Sequence, residues 1–550
     1  MKRLGNTCWL FATAVLAVGC AGESAETPAQ DACGASCEDA PSSDGGDVVA
    51  PDVAAPDAAQ PTAARAFPPG FLFGTAIAGF QVDMGCPTLA AEACEDRNSD
   101  WYAFITSEAV KASPNAYLHG DPPAAGPGFW ELFEQDFDRA RDELGNNAFR
   151  FSFEWSRVFP TATDDANTHE ELLALADPAA LAGYRAQLAA LAARGLTPMV
   201  TLNHYSLPAW IHDGPGCHLD IDKCSPKGWV DADRTIAEIA KYAGFVGREF
   251  GGQVDLWATE NEPFAVIFPG YIFPSPDRTN PPAVTLRAAE AKTVFGALIH
   301  AHARMVDALR ASDTVDADGD GAATFVGLVY AMAPVKPMDP SKPADVKAAE
   351  NVFYLWNMAF LNAVVKGDFD HDLDGVAERD DSLVGRMDWL GINYYTRITV
   401  EGVDVPLLAE LSPLTTFNLL TLVPWEAYTR GIYEMAMVVR DFGLPAYVTE
   451  TGIEDEADDG KMVKWLVETL SWVHQSIEDG ADIRGYFFWT LVDNYEWNHG
   501  MSIELGLYGV DHTDPEKRRV PRKGVAVYKA ITDAWGITDE LKATYPIEVE

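Results

Sequence analysis

From Phe67 onward the chain alternates between two kinds of hydrophobic pattern. Short runs of apolar and β-branched residues stand at 71–77, 147–153, 197–203, 254–261, 324–332, 387–394, 445–450 and 484–490. Runs of this length, bounded by turn residues, predict strands. Between them lie longer helical stretches at 131–144, 179–194, 233–250, 284–311, 346–366, 425–441 and 460–478. Asp233 is placed to cap the third of these, and Gly195 and Gly443 to stop two others. No internal repeat of 20–50 residues is visible. Eight strands alternating with helices predict an α/β fold, a (β/α)8 TIM barrel with long loops at the carboxyl-terminal face. A doubly wound open sheet would need a glycine-rich first turn for phosphate, and TAIAGFQ at 75–81 lacks one.

Polar residues gather where these strands end. WATENEP at 257–263 closes the fourth strand, because Pro263 cannot donate to a ladder and turns its predecessor away from helix. Glu262 is left at a strand's carboxyl end, where barrel enzymes keep their chemistry. AYVTETG at 446–452 ends in the same way at Glu450, with Gly452 to turn the chain. A single strand-end glutamate is ordinarily a solvated loop carboxylate. Here others join it: Gln81 after the first strand, Arg150 in RFSFEWSR, His204 in TLNHYSLP, and Asn261 before Glu262. GINYY adds Asn393 and Tyr395, and GYFFWTLVDNYEW adds Trp489, Glu496 and Trp497. Taken singly, His204 reads as a core imidazole, Arg150 as a structural ion pair and Trp489 as core. Together they fill one end of the expected barrel and point to a paired-carboxylate site.

These motifs, with FPPGFLFGTAIAGFQ at 67–81, resemble glycoside hydrolase family 1, the β-glucosidase and β-galactosidase family, in family order from Phe67 to about Ala530. The resemblance implies a retaining hydrolase of terminal β-linked glucose- or galactose-type residues, with no cofactor required. Such a mechanism needs two carboxyls about 5–5.5 Å apart. It implies Glu262 as acid/base and Glu450 as nucleophile, the latter oriented by Arg150, Tyr395 and Asn393. Gln81, His204, Asn261, Tyr395, Trp489, Glu496 and Trp497 correspond to sugar-binding positions. Trp489 would stack on the pyranose, and Glu496 with Trp497 would read its 4- and 6-hydroxyls. Members acting on 6-phosphorylated sugars carry a lysine in the last segment; EWNHGMSIELGLYGVD at 496–511 has none. A transglycosylase could use the same residues. A sugar-binding lipoprotein without catalysis is the other alternative, opposed by the presence of both glutamates.

The chain departs from the family at several points. Thr451 stands for an Asn, Asp83 for a Glu, Tyr205-Ser206 for Trp-Asp, and Glu504 for an Arg. Glu260 replaces an apolar residue. Strand alternation would put it on the face of Glu262, unless the strand bulges. The simpler expectation is that it pairs with an Arg or Lys outside the site.

The amino terminus changes the setting. Residues 1–19 look like an export signal, with Lys2 and Arg3 before an apolar run, Trp9 to Val18, too short to span a bilayer. Leu16-Ala17-Val18-Gly19-Cys20 resembles the lipoprotein cleavage box, with Leu one place further from the cysteine than usual, so Cys20 is the expected lipidation site. Residues 20–66, rich in Ala, Pro, Asp, Ser and Gly, read as a disordered acidic linker to a catalytic domain at 67–550. The expectation is an exported protein, a cell-envelope lipoprotein or a secreted one, that meets a membrane only through its lipid. Of eight cysteines, Cys8 lies in the signal and Cys20 at the anchor. The rest fall in near pairs whose spacing favours local disulfides: Cys33 with Cys37, Cys86 with Cys94, Cys217 with Cys224. A net charge of −43 argues against nucleic-acid binding, which needs a basic face. Two acidic loops suggest structural calcium: Asp370, Asp372, Asp374, Glu378 and Asp381 at EF-hand-like spacing, and DADGDG at 316–321.

Overall fold

The computed structural model describes residues 65–419, 421 and 426–546. The expected export signal, Cys20, the expected Cys33–Cys37 pair and the expected linker up to residue 64 lie outside the described residues.

Eight parallel strands form a closed barrel: β1 (Leu72–Ala76), β2 (Ala148–Ser152), β3 (Thr197–Asn203), β4 (Leu256–Asn261), β5 (Phe325–Ala331), β6 (Trp389–Tyr394), β7 (Ala446–Thr451) and β8 (Ile483–Trp489). They neighbour one another in chain order, with β8 against β1. Each strand is covered on both faces, which is why it reads as a continuous apolar run rather than an alternating one. Leu72, Met199, Leu256, Trp389, Phe487 and Trp489 belong to a core of their own inside the barrel. Large rings fit there because small partners face them. A Cβ on Gly327 would lie 2.3 Å from the Trp389 ring, and one on Gly74 2.4 Å from Phe487.

The second core lies between the barrel and its helices. These are α1 (Phe129–Asp138), α2 (Pro178–Ala193), α3 (Ala232–Phe250), α4 (Ala288–Ser312), α5 (Pro343–Phe353), α6 (Gly431–Arg440), α7 (Lys461–Glu478) and α8 (Lys523–Ala534). Asp177 caps α2 by accepting from the amides of Ala179 and Ala180, and Pro178 fills the first helical position. Gly195 and Gly443 sit at φ +64° and +72°, as expected of helix stops. The cap expected at Asp233 is not there. Asp233 lies within the first turn of α3, and Asp231 holds the cap position while its carboxylate accepts from the Lys227 amide. The long helix expected at 346–366 starts earlier and widens into π turns at 354–358 and 362–366.

Arg65 and Ala66, two residues before the expected boundary, take part in the fold. Arg65–Ala66 pairs antiparallel with Gly536–Ile537, and Arg65 Nη1 donates to the Ser471 carbonyl on α7 at 2.8 Å. Cys86–Cys94 and Cys217–Cys224 are bonded, as their spacing suggested.

Two register shifts bear on the site. One falls between β4 and β5, after Ala258; the other between β6 and β7, at Ile392/Asn393. On β4, Trp257 Nε1 reaches outward to Asp313 and Thr259 Oγ1 to His302 on α4. Asn261 has the same parity yet turns inward, so the bulge lies at Glu260.

Candidate active site

The expected site residues meet at the carboxyl ends of the strands. Arg150 on β2 anchors them. Its guanidinium donates to Glu450 Oε1 at 2.6 Å, Asn261 Oδ1 at 2.8 Å, the Thr449 carbonyl at 3.2 Å and Thr201 Oγ1 at 3.2 Å. It therefore ties β2 to β3, β4 and β7.

This arginine also fixes hydrogens further along. A guanidinium only donates, so Asn261 must present its oxygen to Arg150. Asn393 Nδ2 donates to the same oxygen at 3.1 Å. The Asn261 amide nitrogen then faces His204 Nε2 at 3.2 Å and donates to it. His204 must accept there, which leaves the ring hydrogen on Nδ1. Nδ1 is buried and has no partner among the described residues. Burial first, then the charges of Arg150 and Arg278, push the His204 pKa well down, so the ring stays neutral. His204 thus offers one N–H to whatever enters. Gln81 offers the complement. Its Nε2 donates to Glu496 Oε2 at 2.9 Å, and its Oε1 is buried without a partner.

The two glutamates are held by different donors. Glu450 takes a charged donor, Arg150, on Oε1 and the Tyr395 hydroxyl on Oε2 at 2.7 Å. Glu262 takes only neutral ones: Asn393 Nδ2 on Oε1 at 2.8 Å and the Tyr205 hydroxyl on Oε2. Asn393 is itself oriented, because its Oδ1 accepts from Thr449 Oγ1 at 2.7 Å. Burial pushes the Glu450 carboxyl up from its usual value and the charge of Glu262 adds to this, while Arg150 opposes. Two carboxyls coupled in this way do not both ionise readily, and the cation decides where the charge resides. The cation contacts Glu450 and favours the charge there.

Glu262 leaves the strand at φ +47°. Tyr205 at +69° and Trp497 at +50° share this left-handed backbone, which side-chain-bearing residues seldom adopt. Trp497 lies 4.7 Å from Trp101 and stacks on Phe80 at 5.8 Å. His204 stacks between Trp489 at 5.8 Å and Trp497 at 6.0 Å.

Arg278 was not anticipated. It reaches in from the loop between β4 and α4, donating to Glu496 Oε1 at 3.1 Å, with its guanidinium over the rings of Tyr205 and Trp497. The sequence offers only a lone cation in a proline-rich stretch, PSPDRTNPP at 274–282.

The departures find local explanations. Thr451 faces outward and accepts from Trp465 Nε1 on α7 at 3.0 Å. Glu504 shares Arg522 with Asp493. Ser206 donates to Glu154, and Asp83 accepts from Arg157 at 3.2 Å. Both expectations for Glu260 fail. It is 1 % exposed, and neither carboxylate oxygen has a partner among the described residues, so there is no ion pair. Burial alone raises its pKa well above 4.5, with no contribution from Glu262. The bulge breaks the parity that would have aimed it at the site.

The acidic loops lie apart from these residues. Carboxylate oxygens of Asp370, Asp372 and Asp374 fall within 4.8 Å of one another. Glu378 and Asp381 do not join them: Glu378 lies 4.0 Å from His371, and Asp381 accepts from Arg379 Nε at 2.7 Å. In the second loop Asp316 and Asp318 gather with Asp255, which the spacing had not suggested. All six are hard oxygen donors of the kind calcium takes.

Comparison with known proteins agrees with this geometry. The profile of glycosyl hydrolase family 1 matches residues 63–537. The chain is 34% identical over 518 residues to a β-galactosidase of Pyrococcus woesei, covering 86% of this chain and 99% of that one. It is 33% identical over 507 residues to a β-galactosidase of Sulfolobus acidocaldarius, covering 87% and 97%. The crystal structure of the β-glycosidase from Thermosphaera aggregans superposes with a TM-score of 0.75 at 28% identity, covering 88% of this chain and 100% of that one. The chain belongs to glycosyl hydrolase family 1 and is a retaining β-glycoside hydrolase.

Proposed function

We propose that the chain removes terminal β-linked glucose- or galactose-type residues by double displacement, with Glu450 as nucleophile and Glu262 as acid/base. The observation that carries this reading is the asymmetry of donors: a guanidinium on Glu450, neutral groups on Glu262. Glu450 is therefore the charged partner and Glu262 the proton carrier. Glu450 attacks the anomeric carbon as the glycosidic C–O bond breaks, and Glu262 gives its proton to the departing oxygen. The ester so formed has no charge on Glu450. Glu262, now a carboxylate, takes a proton from the water that attacks the same carbon, and Glu450 departs. Two inversions retain the configuration.

The sugar would be read by groups left open for it: the His204 Nδ1 hydrogen, Gln81 Oε1, and Glu496 between Gln81 and Arg278. Trp489 and Trp497 supply rings for its apolar faces. Relatives carry the names β-galactosidase and β-glucosidase, which favours galactosides and glucosides as first substrates.

Glu450→Ala should abolish turnover of an aryl β-glycoside, and azide should restore it with inverted product. Glu262→Ala should still form the ester from a dinitrophenyl glycoside, whose leaving group needs no proton. Near-normal activity in both variants would refute the assignment.

The reaction needs no cofactor. A calcium ion, if bound by the acidic loops, would be structural. Export and lipidation at Cys20 are proposed from the amino-terminal sequence, and the two disulfides are compatible with an oxidising compartment.

A further inference from the structure

Glu262 has a second holder that the assigned chemistry does not use. Tyr205 is the second residue past β3, 4 % exposed, with its hydroxyl on Glu262 Oε2. Its ring meets Trp497 edge-on at 4.8 Å and His204 at 5.0 Å. Arg278 lies over the ring, 5.3 Å from its centre.

That arginine is itself fixed. The Thr279 amide donates to Asn498 Oδ1 at 3.0 Å, Asn498 Nδ2 donates to the Pro276 carbonyl at 3.0 Å, and His499 Nε2 meets the Asp277 carbonyl at 2.9 Å. The loop bearing Arg278 is thereby joined to the loop bearing Glu496. A continuous path runs from the sugar-reading carboxylate through Arg278 and Tyr205 to Glu262.

We propose that Tyr205 is a positioning residue for the proton-carrying glutamate, holding Glu262 Oε2 through its hydroxyl and being held in place by Arg278. The proposal rests on the acid/base reading of Glu262. A phenol hydroxyl donates best to an ionised carboxylate, so the contact strengthens as Glu262 gives up its proton and persists while it acts as base. Asn393 Nδ2 on Oε1 cannot replace it, because it holds the other oxygen and is shared with Asn261. The charged or titratable groups facing Glu262 are Tyr205 after β3, Arg278 after β4, Tyr395 after β6 and Glu450 on β7. Only the first changes in the variant that tests the idea.

Tyr205→Phe keeps the ring and its contacts and removes the hydroxyl. Its kcat/KM is measured on aryl β-glycosides of graded leaving-group acidity, and as a function of pH. For poor leaving groups it should fall about tenfold, the size of one charge-assisted hydrogen bond. For a dinitrophenyl glycoside it should stay within about twofold, since no proton is needed. The basic limb should move to higher pH by about one unit, because losing a donor to the anion retains the proton. A leaving-group dependence and a basic limb that overlay the parent would overturn the proposal. A residue that merely lined the wall would lower all substrates alike. Should the Phe variant not fold, Arg278→Lys, which keeps the positive charge near Glu262 but loses the planar guanidinium over the ring and leaves the hydroxyl, should move the same limb in the same direction; an unmoved limb there also overturns it. Glu262→Ala is run alongside. If that variant treats all leaving groups as the parent does, the acid/base reading fails. If it behaves as an acid/base variant and Tyr205→Phe overlays the parent, only the role of Tyr205 fails.

Discussion

Glu260 is a carboxyl the barrel would hold more easily without. It is 1 % exposed, both oxygens lack partners among the described residues, and burial alone raises its pKa well above 4.5. The sign follows from linkage. A carboxyl whose folded pKa lies above its unfolded value binds more protons when folded. Its favourable contribution is full below about pH 4.5 and is lost as pH rises towards the folded value. Above pH 4.5 the cost grows by about 1.4 kcal/mol with each unit of pH for as long as the proton stays on. The unsatisfied oxygens add about 1–3 kcal/mol, independent of pH. Glu260→Gln should remove the first part and Glu260→Leu both. For a folded region of roughly 480 residues the unfolding entropy is about 1 kcal/mol per degree, so the unsatisfied oxygens alone should make the Leu variant melt about 1–3 °C higher, and by more as pH rises above 4.5. The assay is thermal unfolding of parent, Gln and Leu proteins from pH 4.5 to 8. The advantage of Leu should shrink to about 1–3 °C at pH 4.5 and grow steadily above it. Three melting curves that coincide at every pH would refute the reasoning, since they would mean that Glu260 is well solvated or paired.

Glu154 tests the same sign where partners are present. It accepts from Ser152 and Ser206, yet burial raises it from 4.5 to about 7. Its contribution should be lost between about pH 4.5 and 7, and Glu154→Gln should flatten that part of the melting profile by up to about 3 °C; an unchanged slope would contradict it. For the loop of Asp370, Asp372 and Asp374, millimolar calcium should raise the melting temperature and chelator lower it, with kcat unaltered. Identical curves under both conditions would dispose of that ion.

The strands were legible because a strand buried on both faces has no polar side to interrupt it, and all eight stood within two residues of their expected bounds. Glu262 and Glu450 were legible as strand ends beside Pro263 and Gly452. Side-chain direction within β4 was not. The ladder with β5 slips after Ala258, and a slip in pairing leaves no mark on composition. Parity counting therefore aimed Glu260 at a site it does not touch. Helix ends failed for a similar reason. Asp231 and Asp233 are equally good caps by type, and only the backbone of the preceding turn chose between them. Arg278 carries no motif. Its importance comes from the loop at 496–499 that the Arg278 loop is bonded to, more than two hundred residues away, as the 218-residue separation of Arg278 from Glu496 records.

What a one-dimensional reading cannot supply is the direction of each hydrogen, and here the direction is set from one residue. Arg150 has no acceptor, so its four contacts impose roles on their partners. Asn261 must turn its oxygen to Arg150, which turns its nitrogen to His204 and moves that ring's hydrogen to Nδ1. Glu450 receives the one charged donor of the carboxyl pair and Glu262 only neutral ones, the asymmetry on which the proposed assignment of nucleophile and acid/base rests. A lysine in place of Arg150 would keep the charge but not the planar fork, and could not instruct Asn261 and Glu450 together. The backbone departs from ordinary preference at Tyr205, Glu262 and Trp497, where side chains must leave the regular path to reach this network. Local preference yields at these positions because the hydrogen-bonded whole over-determines them.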